Sequence, residues 1–382
     1  MIYIFDYATL KVIWWLLVGL LLVGFAILDG MDLGIGTLLP FVARTDDERR
    51  VVLNTVGPTW EGNQVWFITA GGATFAAWPL VYAMAFSGFY IALILVLFAL
   101  FLRPVGFDYR SKVADPRWRS IWDWGIFVNG TVPSLVFGVA FGNLFLGTPF
   151  HFDEDMRGFY SGTFFGLLTP FALLAGVVSL SMLVMHGAHN LVLRTEGNVQ
   201  ARSRRAMRIA TLVFVAAFAL AGVWIVTGID GYRIVSMPPA DAAFMPPAKT
   251  VERVAGGWLN NYSLHPWTLV APIAAFGGAL LALVASARQR LGLAYTLSSI
   301  AVASVLFTAG FALFPFIMPS SQDMASSLTV WDSVSSHRTL QIMFWGVLIF
   351  LPIVLAYTAW VFRIMRGKVT EAHIREGGSS LY

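Results

Sequence analysis

The sequence predicts an all-α integral membrane protein with nine transmembrane helices. Of its 382 residues, 58 % are hydrophobic and only 12 % are charged, whereas soluble domains carry about 25 % charged residues. Nine apolar stretches each supply the roughly 20 helical residues that span a bilayer, and Lys and Arg fall in short blocks between them. This spacing excludes a nucleic-acid-binding face in spite of the net charge of +4.

The nine stretches follow one another along most of the chain. The first starts near Leu10 without a basic segment or a cleavage site, and its length exceeds a signal-peptide core, so it should remain as a membrane helix. An odd number of spans places the termini on opposite sides of the membrane. The predicted spans are residues 10–39, 51–77, 80–102, 121–146, 163–193, 208–229, 267–287, 293–318 and 340–362.

Basic residues give the orientation. The loops after spans one, three, five and seven, together with the tail, hold 19 of the 25 Lys and Arg residues. Cytoplasmic loops are enriched in these residues, so the N-terminus is predicted to be periplasmic and the C-terminus cytoplasmic. The longest outer loop, about 230–266, is rich in Pro and Gly and is interpreted as a surface loop rather than a second domain.

Two acidic residues of the first span are candidate proton carriers. An acid inside a span costs about 2.5–3.5 kcal/mol on insertion scales and commonly marks a proton or ion route. Asp29 and Asp32 are three residues apart, which puts both carboxyl groups on one helix face. They are therefore expected to face protein, either as carriers or as hydrogen-bonded structural acids.

Glu61 is the third intramembrane acid. It lies eleven residues after Arg50, so a continuous helix at about 1.5 Å per residue would place it roughly 16 Å from the cytoplasmic end. A carboxyl group at that depth could exchange a proton near neutral pH. The alternative is a protonated acid held by Asn63, Gln64 or a main-chain carbonyl.

The segment from Arg103 to Lys112 ends the third span with many exchangeable groups. Taken alone, it is most simply an ordinary cytoplasmic charge cluster. Its predicted position below Glu61 favours a second interpretation, the point where protons enter the chain.

Nothing in the sequence indicates a redox centre. The chain has no cysteine, which excludes disulfides and thiolate ligands. His186 and His189 lie in the fifth span, but ligands three residues apart on one helix cannot clamp a haem from both sides. We expect no metal site on this chain and interpret the two histidines as hydrogen-bonded groups near the cytoplasmic surface.

Several motifs resemble subunit II of the cytochrome bd-type ubiquinol oxidases, with similarity from Trp14 to Tyr382. The stretches that carry the resemblance are Asp29-Gly30-Met31-Asp32-Leu33-Gly34, Trp60-Glu61-Gly62-Asn63-Gln64-Val65-Trp66, Ala76-Ala77-Trp78-Pro79, Arg103 to Lys112, Gly228-Ile229-Asp230-Gly231-Tyr232 and Phe314 to Ser321. His186 and His189 depart from the pattern, so no essential role is expected for them.

The resemblance implies two four-helix bundles, residues 1–150 and 151–320, followed by a peripheral helix and tail in 321–382. It implies a bacterial inner-membrane complex in which subunit I binds two b haems and haem d and oxidises quinol while oxygen is reduced to water. This chain would bind no haem of its own. Small single-helix subunits, membrane lipid and a bound quinone are further partners that the family implies.

The resemblance also implies a proton route through Glu61, with Asp108, Lys112 and Tyr382 at its cytoplasmic mouth. The family also uses Asp at the position of Glu61, which keeps the carboxyl group. Trp66 matches a residue beside an oxygen route. Two other functions remain open from the sequence, namely a proton-coupled secondary transporter and a purely structural scaffold.

Overall fold

The computed structural model describes residues 4–377 and Tyr382, and this part of the chain is predominantly helical. The helices are α1 (Tyr7–Val42), α2 (Asp46–Asn54), α3 (Trp60–Ala77), α4 (Pro79–Gly88), α5 (Tyr90–Tyr109), α6 (Pro116–Leu146), α7 (Pro170–Arg194), α8 (Gly197–Gly228), α9 (Asn260–Leu264), α10 (Val270–Ala287), α11 (Leu291–Leu313), α12 (His337–Ile364) and α13 (Glu371–Gly377). Three antiparallel hairpins join strands β1 (Phe150–Phe152) and β2 (Gly158–Tyr160), β3 (Gly231–Ser236) and β4 (Thr250–Val254), and β5 (Phe316–Met318) and β6 (Leu328–Thr329).

Eight helices within the described residues are long and apolar enough to cross a membrane: α1, α5, α6, α7, α8, α10, α11 and α12. The all-α membrane fold is thus confirmed. The second predicted stretch, 51–77, is not one helix, because α2 ends at Asn54 and α3 begins at Trp60. Helix α3 has 18 residues, but its first two turns carry the polar residues Glu61, Asn63 and Gln64, and it is not among the helices that are apolar enough to count as a span.

Other predicted boundaries differ for local reasons. The stretch 80–102 is divided at Phe89 into α4 and α5. The fifth span begins later than predicted, because Thr169 caps α7 and Pro170 occupies its first turn, a position that suits proline. The stretch 293–318 leaves the helix after Leu313, and its last residues form β5.

Helix α1 is central to the packing and contacts α3, α6, α7, α11 and α12. Its Gly34 lies against the main chain of α7, where a Cβ atom would collide with the carbonyl oxygen of Leu183. Small residues allow helices to approach this closely in membranes. Helix α12 lies at the periphery, and none of its most apolar 18-residue window is buried.

At the end of the protein that is predicted to be periplasmic, two buried lysines hold the loops in place. Lys249 and Asp332 form a fully buried ion pair, with 2.8 Å between Nζ and Oδ2. Lys11 donates hydrogen bonds to the carbonyl oxygens of Ala240, Ala242 and Trp331 at 2.8–2.9 Å. The loop predicted at 230–266 is thus ordered by hairpin β3–β4 and by these contacts.

At the opposite end, α2 is a short surface helix held by its own cap. Thr45 Oγ1 accepts a hydrogen bond from the Glu48 amide at 3.2 Å, while Glu48 Oε2 accepts one from the Arg44 amide at 2.6 Å. Glu48 also pairs with Arg202 of α8. Burial by itself raises the pKa of Glu48, but the backbone N–H bonds and Arg202 outweigh it and lower the pKa below its ordinary value.

We expect Glu48→Gln to lower the stability of the folded protein at pH 7 by about 1 kcal/mol, because the neutral amide loses the ion pair with Arg202 and accepts weaker hydrogen bonds from the cap N–H groups. Because the folded pKa of Glu48 is depressed, its contribution is present above the unfolded value near 4.5 and is lost as pH falls through the folded value. Thermal unfolding in detergent from pH 7 downwards should show the two proteins converging below pH 4.5. Glu196→Gln, at an exposed acid of the same end, serves as the control, and a difference that stays constant with pH would contradict the assignment.

Candidate functional site

Asp29 and Arg103 form an ion pair in the interior of the helix assembly. Each side chain is only 1 % exposed, and Arg103 Nη1 bonds Asp29 Oδ1. Arg103 Nε also donates to Asn129 Oδ1 at 3.0 Å, and Asn129 Nδ2 donates to the Ala99 carbonyl at 3.1 Å. The pair joins α1, α5 and α6 and leaves each charged group with hydrogen-bond partners, as a buried ion pair requires.

Asp32 lies on the same side of α1 and is 5 % exposed. Its Oδ2 accepts a hydrogen bond from Asn63 Nδ2 of α3 at 2.9 Å. Its Oδ1 has no hydrogen-bond partner among the described residues. The prediction that Asp29 and Asp32 face protein is therefore confirmed. Of the two, Asp29 forms an ion pair with a basic side chain, that of Arg103.

Glu61 differs from its predicted position. The break between α2 and α3 puts it in the first turn of α3, so the distance measured along one continuous helix was wrong. Its side chain is exposed on the surface of the subunit. The side-chain amide of Asn63 donates to Asp32 Oδ2.

Glu61 opens on a largely apolar groove between α12 and the pair α1 and α3. The groove has a volume of about 700 Å³ and includes Trp66 and Phe350 in its walls. Trp66 is 7 % exposed and packs against Gly24 of α1. An acid at the margin of such a groove can reach a group outside the subunit, which a fully buried acid could not.

Tyr382 is held at the beginning of α3. Its main-chain oxygen accepts hydrogen bonds from Asn54 Nδ2 at 2.8 Å and from Arg50 Nε at 3.1 Å. Its ring meets that of Phe107 edge to face, with 5.5 Å between centroids, and covers Gly57 so closely that a Cβ atom there would collide with it. These contacts fix the phenol where the chain turns from α2 into α3.

The Tyr382 phenol is near two of the predicted acids. Burial raises the pKa of Tyr382, and the negative charges of Asp108 and Glu61 raise it further. Three of the four residues that the resemblance put on a proton route therefore lie close enough to interact electrostatically. Lys112 is exposed at the end of the short 3-10 turn that follows α5.

A second cluster of charges was not predicted. Arg110 is 1 % exposed and bonds Asp123 through Nε at 2.6 Å and Asp46 through Nη2 at 2.9 Å. Arg49 also pairs with Asp123, and Arg119 with Asp46. Arg110, from the Arg103 to Lys112 segment, thus belongs to a structural network of ion pairs that joins α2 to the end of α5 and to α6. In the sequence, this network was indicated only by an acid within a predicted span, Asp123 in Trp122-Asp123-Trp124.

Comparison with known proteins decides the family. A family model described as cytochrome bd terminal oxidase subunit II matches residues 10–365. The chain belongs to this family. It is 52 % identical over 377 residues to cytochrome bd-I ubiquinol oxidase subunit 2 of Escherichia coli K12, covering 99 % of this chain and 100 % of that protein.

A more distant relative and a solved structure are also similar to this chain. Cytochrome bd ubiquinol oxidase subunit 2 of Bacillus subtilis is 32 % identical over 376 residues, with 95 % of this chain and 98 % of that protein covered. The bd oxidase structure from Geobacillus thermodenitrificans matches the fold with a TM-score of 0.68 at 14 % identity, over 93 % of this chain and 98 % of that chain. The predicted family is confirmed, the chain is a subunit of an oxidoreductase complex, and the transporter alternative is not favoured.

Each histidine of the fifth span makes at least one hydrogen bond. His186 is fully buried, with Nδ1 2.8 Å from Ser298 Oγ and Nε2 3.0 Å from the Ile27 carbonyl. His189 Nδ1 lies 2.9 Å from the Met185 carbonyl. Both ring nitrogens of His186 are used in this way, which leaves neither for iron, and the described residues contain no group of His, Asp and Glu suited to a metal ion.

Proposed function

We propose that this chain is the haem-free second subunit of a quinol:oxygen oxidoreductase in the bacterial inner membrane. It stabilises a haem-bearing subunit I, which carries two b haems and haem d, and it conducts cytoplasmic protons toward haem d. Oxidation of quinol and reduction of oxygen to water belong to the complex. We assign electron transfer to the partner, which carries the haems.

The observation that carries the proton route is the convergence of Tyr382, Asp108 and Glu61. Protons are taken up at Asp108 and Lys112, both exposed at the basic end of the subunit. They pass by way of the Tyr382 hydroxyl to Glu61. Because Glu61 is exposed at a groove on the outside of the subunit, it delivers protons to the partner rather than to the interior of this chain.

Asp29 and Asp32 have different parts in this proposal. The pairing of Asp29 with Arg103 supports a structural role. Asp32 keeps an unpartnered Oδ1 and is the better additional carrier. Trp66, on the wall of the same groove, is proposed to border an oxygen route.

We further propose nine membrane crossings. Helix α3 is added to the eight helices given above, and α4 together with α5 forms a single crossing. Helix α3 is about 27 Å long at 1.5 Å per residue. Its first residues lie beside Tyr382, while its last, Ala77, accepts a hydrogen bond from the Ser335 amide in the loop that precedes α12. We also propose two bundles, 1–150 and 151–320, and a peripheral segment, 321–382. The distribution of Lys and Arg supports a periplasmic N-terminus and a cytoplasmic C-terminus.

The function is tested with reduced-minus-oxidised optical spectra of the chain purified alone and after co-expression with the haem-bearing subunit. We expect bands of haem b and haem d, and quinol-driven oxygen uptake, only in the second sample. Haem bands in the chain alone would contradict the assignment of the redox centres to the partner. If substitutions of the acids Glu61 and Asp108 both left turnover normal, the chain would act as a structural scaffold and not as a proton route.

Tyr382→Phe should lower turnover roughly tenfold, less than the roughly 100-fold or more expected for a group that acts as acid or base, because the hydroxyl only relays the proton. The change removes only the hydroxyl and keeps the ring on Phe107 and Gly57. Since the phenol pKa is raised, the hydroxyl stays protonated up to its ordinary value near 10 and should add no inflection to the activity profile between pH 6 and 9. Oxygen uptake across that range checks both points, and an inflection that disappears in the variant would show that the phenol ionises.

A further inference from the structure

A second cavity lies at the basic end of the subunit and shares Pro58, Thr59 and Phe362 with the groove beside Glu61. It has a volume of about 300 Å³ and is bounded by the last turn of α7, the first turns of α11 and the segment that leaves α12. Three cationic side chains are in its wall, Arg194, Arg366 and Lys368, and its wall contains no acid. Such a composition suits an anion.

Two of the donors that line the cavity have unused hydrogen-bonding capacity. Asn190 is 6 % exposed, and its Nδ2 has no partner among the described residues. Arg194 is partly buried, its Nε is likewise without a partner, and the described part of the chain places no carboxylate within salt-bridge distance of it. A buried donor left without an acceptor is destabilising, so a ligand that supplies acceptor oxygens would be bound favourably.

The charges around the cavity keep it positive. Lys368 is 3.7 Å from Glu196, and both side chains are about half exposed, so this pair is weak. Asp32 interacts with Tyr295, but it does not line the cavity. Arg194 and Arg366 therefore face no competing acid on the cavity wall.

The remaining wall is apolar and adjoins lipid. Met31, Leu193, Phe362 and Met365 line it, and α12, which contributes Phe362, has an unburied apolar surface. A basic pocket between helices that continues into an apolar surface has the form of a site for an anionic lipid headgroup. We propose that this cavity binds a phosphate-bearing anion, supplied by the headgroup of an anionic phospholipid, with Asn190 and Arg194 as the principal ligands.

The test uses the complete complex, purified in detergent and stripped of bound lipid. Its thermal midpoint is measured during titration with phosphatidylglycerol, phosphatidylcholine or inorganic phosphate. We expect phosphatidylglycerol to raise the midpoint in a saturable way and phosphatidylcholine to have little effect. Asn190→Leu and Arg194→Gln should each weaken the response about tenfold, the effect of one charge-assisted hydrogen bond.

Three further variants keep the result interpretable. Arg205→Gln removes an exposed Arg of α8 outside the cavity and should leave the titration unchanged, and Arg194→Lys should retain part of the response. Arg366→Gln alters an exposed residue and weakens binding even if the buried variants assemble poorly. A response to phosphate alone would support the anion site and assign it to a water-soluble source. Equal responses to the two lipids with no effect of phosphate, or unaltered titrations in all cavity variants, would overturn the proposal.

Discussion

Arg103→Met is expected to destabilise the subunit by about 3–5 kcal/mol, the cost of removing one partner from a buried ion pair. The substitution leaves Asp29 in a site where it is 1 % exposed and removes the donor to Asn129. A single unpaired carboxyl between three helices must then take up a proton or admit water. We expect little assembled complex and a strongly lowered thermal midpoint in detergent.

The matched control removes both charges. Arg103→Met combined with Asp29→Leu should recover most of the stability, since replacing a buried pair by apolar groups is often neutral. Asn129 would then lack one donor, which limits the recovery. If the single variant unfolds like the unaltered protein, or if the double variant is no better than the single one, the pair does not join α1 to α5 as the structure indicates.

The contrast between Asp29 and Arg103 illustrates what sequence alone could show. The spacing of Asp29 and Asp32 predicted one buried face, because helical periodicity is local. The partner of Asp29 is 74 residues away, and Arg103 was interpreted as part of a surface cluster. Only the packing of α5 against α6 and α1 places that guanidinium in the interior, and no local pattern contains this information.

The break before α3 had a local signal that was passed over. Gly57-Pro58 interrupts the stretch 51–77, and a proline disfavours helix at the residue before it. This pair indicates that a new helix begins after Pro58, which places Glu61 in the first turn of that helix. The exposure of Glu61 and its approach to Tyr382 depend on the tail folding back onto α2 and α3, which residue order does not reveal.

The largest effect on activity is expected for Glu61→Gln. The amide has nearly the same size and keeps hydrogen-bonding capacity but cannot carry a proton at neutral pH. If Glu61 is the obligatory carrier, quinol-driven oxygen uptake should fall about 100-fold, within the range for loss of a proton-transferring group. Because the side chain is exposed on this subunit, folding and haem content should be retained.

Two variants separate the carboxyl group from its surroundings. Glu61→Asp keeps the acid and should retain much of the turnover, whereas Glu376→Gln changes an exposed acid of α13 and should have no effect. Spectra recorded on the same preparations show whether the haems are present. Full turnover in Glu61→Gln with normal spectra would remove Glu61 from the route, while equal loss in Glu61→Asp and Glu61→Gln would mean that the length of the side chain matters as much as its proton.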